Sequence, residues 1–119
     1  MAKSRIILEM GHGNDMHGGD YTKAALRAVQ DAIHHSSLPF MRSLEIPYEE
    51  LEIEVTIGVQ RPYAVDAEEV RKSLPVGRAV VKVVKGGLDI QYPEFQAASV
   101  IATAAIAVRC DLAPYLNKK

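Results

Sequence analysis

The chain has 119 residues, 48% of them hydrophobic and 24% charged, with a formal net charge of −1. That supplies one core and excludes a disordered chain; the single Cys110 excludes a disulfide scaffold, and the near-neutral charge speaks against a nucleic-acid binder held by phosphate contacts. No apolar run reaches the roughly 20 residues that cross a bilayer, and Met1-Ala2-Lys3-Ser4-Arg5 does not open a signal peptide. One domain over 1–119 is expected, away from membranes, and the lone cysteine fits the cytoplasm. Without Trp, and with aromatics at 6%, the core must be built from Val, Ile, Leu and Ala.

Arg5 to Met10 reads as a strand, with Ile6, Leu8 and Met10 on one face and Ile7 and Glu9 on the other. Gly11 to Gly19 holds four glycines and reads as a loop. Asp20 is placed to cap a helix from Tyr21 to about His35, with Ala25, Ala28, Val29, Ala32 and Ile33 as its apolar stripe. Ser36 to Pro39 ends that helix, and Phe40 to Tyr48 is an irregular connection. Leu51 to Gln60 alternates apolar and polar residues without a break, as a strand with one buried face does. Asp66-x-x-Glu69 resembles a capping box for a short helix that Pro75 ends. Arg78 to Lys85 is β-branched and predicts a third strand; Gly86-Gly87 is a turn, and Leu88-Asp89-Ile90 extends pairing beyond it. Val100 to Arg109 suits either a helix, by its alanines, or a strand, by its alternation; strand is the reading taken, because both faces are small and mostly apolar.

The order is then β-α-β-α-β-β. The fold class is α+β, a two-layer sandwich with a four-stranded sheet and two helices on one face. The other face must meet solvent or another copy, so a homo-oligomer is expected.

The densest chemistry lies in Gly11-His12-Gly13-Asn14-Asp15-Met16-His17-Gly18-Gly19-Asp20, between a strand and a helix. It is neither a dinucleotide fingerprint, since position 16 is Met, nor a P-loop, since no Gly-Lys-Ser/Thr follows. Asp15, two residues from His17, suits an acid–base pair; the plain structural reading is an Asx-rich turn, and for Asp20 capping is preferred. His12, Asp15, His17 and Asp20 are metal-ligand types, but no spacing among them is a zinc signature, so no metal is assigned, and the sequence names no cofactor. Lys82, mid-strand among valines, and Lys85, before the glycine turn, are candidates to hold or activate a reacting group. Glu9 is a candidate base. The catalytic set is thus Asp15, His17, Lys85, Lys82 and Glu9, and the ligand-binding set Gly11, His12, Gly13, Asn14, Gly18, Gly86 and Gly87. His34 and His35 are read as partners of the helix dipole, Arg61 as a surface residue and Cys110 as core. Ser36, Ser37 and Ser99 become nucleophiles only beside a lysine or histidine.

The stretch Gly11 to Gly18 fits G-x-G-x-D-x-H-G and resembles a small conserved-hypothetical bacterial family of the Lin type, whose members have about this length. Thr22-Lys23-Ala24-Ala25, Ser37-Leu38-Pro39 and Lys85-Gly86-Gly87 also look like that family, which implies motif residues but no reaction. Gly11-His12-Gly13-Asn14-Asp15 is similar, more loosely, to a segment in one unit of the ring-opening amidohydrolases, such as cyanuric acid hydrolase and barbiturase. Those consist of three similar α+β units around a pseudo-threefold axis, so this resemblance implies a trimer of small chains. It also implies hydrolysis of a cyclic amide or related nitrogen compound, although the serine–lysine motifs of that family have no clear match here. The expected function is therefore a small-molecule enzyme with its site at a subunit interface. The competing readings are an anion- or metal-binding module without turnover, and a purely structural oligomer.

Overall fold

The computed structural model describes residues 4–16, 18–34, 50–74, 78–92, 97–111 and 113. The alternating run becomes β2 (Glu52–Val59), with Ile53, Val55, Ile57 and Val59 buried and Glu52 and Glu54 exposed. Around it lie β1 (Ser4–Asp15), α1 (Tyr21–His34), a 3-10 turn (Pro62–Ala64), α2 (Ala67–Lys72), β3 (Ala79–Lys85), β4 (Leu88–Tyr92) and β5 (Ala97–Cys110). The class is α+β. The residues connecting α1 to β2 fall outside the described set, apart from Glu50 and Leu51.

The sheet has five strands rather than the expected four, in the order β1-β5-β2-β3, with β4 also paired to β5. The difference follows from lengths. β5 has 14 residues and β2 only 8, so the first part of β5 overhangs β2 and is paired by β4, Leu88 against Ile101 and Tyr92 against Ala97. The ambiguous segment 100–109 is a strand, and the central one. β1 and β2 flank it, both antiparallel to it, and β3 is parallel to β2. β1, β2 and β3 therefore all point the same way.

The second correction concerns Gly11 to Asp15. They are not loop but the last part of β1, paired in register with Ala104 to Val100 of β5. Their glycines serve packing. A Cβ on Gly11 would stand 2.5 Å from the Ala32 backbone nitrogen, and one on Gly13 would stand 2.4 Å from that of Ala28. α1 lies directly on this strand, and its own contact residues, Ala24, Ala25, Ala28 and Ala32, are small and fully buried.

This close approach also fixes the parity of β1. With Gly11 and Gly13 under the helix, Leu8 and Met10 must face away from it, and they are 45% and 68% exposed. Both helices contribute to one core, which joins Val29 of α1, Val70 of α2, Val55 and Ile57 of β2 and Val108 of β5. No described helix is long and apolar enough to cross a membrane.

Candidate functional site

Because β1, β2 and β3 are co-directional, their C-terminal ends open at one end of the sheet. Three connections meet there: the one from β1 to α1, with Met16 and Gly18 to Asp20 described, residues 60–66 before α2, and the Gly86–Gly87 turn before β4. Ligands commonly bind outside the carboxyl ends of parallel strands.

The described residues between β1 and α1, Met16 and Gly18 to Asp20, are organised by carboxylates. The buried Asp15 accepts the Asp20 N–H at 2.9 Å through Oδ2, and its Oδ1 lies 3.7 Å from Arg27 Nη1. A Cβ on Gly18 would come within 2.7 Å of Asp15 Oδ2, so glycine makes room for the carboxylate. Gly19 turns the chain at a φ of 62°. Asp20 then caps α1, its Oδ1 accepting the Lys23 N–H at 3.0 Å. Ser99 is buried, and its hydroxyl donates to the Met16 carbonyl at 3.0 Å. Asp15 therefore satisfies a backbone amide, five residues on rather than in an Asx-turn, and the capping reading describes Asp20.

The Gly86–Gly87 turn crosses over the end of β2. The Gly86 N–H donates to the Val59 carbonyl, and the Gln60 amide donates to both Gly86 and Gly87 carbonyls, at 3.1 and 3.2 Å. Gly87 has a φ of 65°, and a Cβ there would overlap the Ile101 carbonyl.

The first residue of α1 meets β4 at this end. The hydroxyl of the buried Tyr21 donates to Asp89 Oδ2. Asp89 Oδ1 is closed off from solvent and finds no donor among the described residues. A buried oxygen left in that state costs about 1–3 kcal/mol, more for a charged group. Burial first, and then the bond to Asp89, push the Tyr21 phenol above the ordinary tyrosine range; the positive charge of Arg61 works in the opposite direction. Sequence reasoning missed this pair. Tyr21 reads as a helix start and Asp89 as one polar residue after a turn, and their separation of 68 residues hides the contact.

The sequence-predicted residues divide between the faces of the sheet. Glu9, Gly11, Gly13 and Asp15 share the helix side of β1, Glu9 half-buried opposite Ile106. Lys85 is exposed at the end of β3, opposite Val59. His12 and Asn14 alternate to the open face and are exposed, as is Lys82 opposite Thr56. Lys82 and Lys85 therefore do not share a site. Asp15, Gly18, Lys85, Gly86 and Gly87 do lie at the same end, although β5 and β2 separate the first two from the rest. His17, like Ser36 and Ser37, lies outside the described residues. His12 and Asp15 occupy opposite faces, and no group of three or more metal-ligand side chains occurs among the described residues.

A solved structure similar to this chain is an FtsZ-like protein of unknown function from Nostoc punctiforme PCC 73102. It is 39% identical, with a TM-score of 0.80 over 93% of this chain and 98% of that one. No curated protein matches the sequence. The model of a conserved hypothetical protein family, Lin0512, matches residues 5–108, so the strand, the glycines under α1 and the Tyr21–Asp89 junction all lie within the match, and the chain belongs to that family.

Proposed function

We propose that the chain is a subunit of a cytoplasmic small-molecule enzyme acting at the C-terminal end of β1, β2 and β3. The observation that carries this reading is the convergence of three connections and the start of α1 on the Tyr21–Asp89 pair. In this reading Tyr21 and Asp89 handle protons, with Arg61 and Lys85 at the same end to receive a developing negative charge. Hydrolysis of a cyclic amide is the reaction class favoured, and it rests on the resemblance of Gly11 to Asp15 to the ring-opening amidohydrolases. The hydroxyl of Ser99 is already engaged with Met16, so water rather than that serine is the attacking group.

Two amides at the start of α1 serve internal carboxylates: the N–H of the cap residue Asp20 bonds Asp15, and the Lys23 N–H bonds Asp20. An outside anion would meet Asp15, Asp20 and Asp89 at the same place, which favours a neutral ligand over the anion-binding module. Thermal-shift measurements with hydantoin and dihydrouracil, against phosphate and divalent metal ions, separate the two. The reading expects the neutral rings to raise Tm and to be opened on incubation; stabilisation by phosphate or a metal alone would replace it with the binding module.

Oligomerisation is part of the proposal. Leu8, Met10, Val80, Val84 and Leu88 are exposed, and strand pairing puts them all on the face away from the helices. A trimer is favoured by the three-unit build of the amidohydrolases.

A further inference from the structure

We infer that Asp89 Oδ1 is the acceptor for a ligand N–H, and that the ligand is a small neutral compound carrying an N–H beside a carbonyl, admitted beneath the Arg61–Val65 turn. The inference rests on the functional reading of this sheet end and specifies its ligand. The Tyr21 hydroxyl holds Oδ2 and so fixes the orientation of the carboxylate, while Oδ1 remains shielded and without a donor among the described residues. Carboxylate oxygens only accept, so the missing partner must be a donor.

Three N–H donors at this end are already engaged. The Asp20 and Lys23 N–H groups bond Asp15 and Asp20, and the Gln60 amide bonds the glycine turn. Arg61, the residue before the 3-10 turn, already brings a positive charge to this end, so the ligand need not be a cation. Its guanidinium can donate to a carbonyl adjacent to the N–H. The turn that carries Arg61 is latched to α1 by one residue: the Thr22 hydroxyl accepts the Asp66 N–H at 2.9 Å and donates to the Ala64 carbonyl at 3.4 Å. Tyr63 at its tip is 84% exposed. The turn thus rests on the residue next to Tyr21 and lies outside the strand pairing of the sheet.

Calorimetric titration with hydantoin and with its fully N-methylated analogue tests the inference. The wild-type protein is expected to bind the methylated ring at least tenfold more weakly than the parent, and Asp89→Ala to weaken parent binding at least tenfold. The methylation series needs no variant, so it decides the matter even where Asp89→Ala fails to fold. Equal affinity for the two rings would overturn the N–H assignment while leaving the functional reading in place. Absence of binding by either ring would overturn both.

Discussion

Gly13 shows how one missing methyl group determines a packing distance. Any side chain there meets the Ala28 nitrogen at 2.4 Å and the Arg27 Cβ at 2.5 Å, and most of what it meets is backbone that cannot rotate aside. Gly13→Ala should lower unfolding stability by about 3 kcal/mol, the upper range for overpacking, measured by urea denaturation. Gly19→Ala, with nothing within 4 Å, tests the other role of glycine; its cost comes from a φ of 62° alone and should be near 1 kcal/mol. Tyr21 offers a pH-dependent check. Its phenol is raised by burial and by Asp89, so the folded chain holds that proton more tightly than the unfolded one. The resulting stability is fully present below the ordinary tyrosine range and is lost as pH rises through the folded value. In an alkaline absorbance titration one of the five tyrosines should ionise late, and Tyr21→Phe should remove that step.

At the scale of elements, α1 does three jobs for β1. Its alanines set the spacing, its first turn is capped by Asp20, and its polar side chains close the free strand edge. The His12 N–H donates to Asp31 Oδ2 at 3.0 Å, and Arg27 Nη1 donates to the Asn14 carbonyl at 2.6 Å. These groups would otherwise invite a further strand. Asp20→Ala should cost about 1 kcal/mol through the lost cap, read from thermal or urea unfolding. Helix α1, strand β2 and the Asp66 cap of α2 were legible in the sequence because each is a local pattern. Periodicity marks the first two, and the third is the Asp66 side chain accepting the Glu69 N–H at 3.1 Å. The end of β1 was not legible, since two glycines among polar residues look like a loop unless a helix is known to lie on them. The separate identity of β4 depended on the overhang of β5, which is a property of two strands distant in sequence. Within the glycine-rich motif the described residues pack and cap, and the Tyr21–Asp89 pair proposed to handle protons starts one residue beyond it.

Among the described residues, most exposed large apolar side chains lie on the sheet face away from the helices. Helix packing fixes the parity of β1, and that parity turns Leu8 and Met10 onto the same face as Val80 and Val84. The proposal of self-association predicts a mass near three times the 13.0 kDa chain by light scattering. Leu8→Lys combined with Val80→Lys should yield folded monomers near 13.0 kDa; a wild-type monomer at micromolar concentration would contradict the proposal. The other end of the molecule makes the central claim, that a neutral nitrogen compound binds where β1, β2 and β3 finish. The most direct measurement is a backbone amide NMR titration of the 15N-labelled protein with hydantoin. The account predicts shifts concentrated in residues 18–23, 60–66 and 86–90. Shifts confined instead to the groove lined by Glu52, Glu54, Arg78 and Arg109 at the opposite end of β2, or no shifts at all, would contradict it.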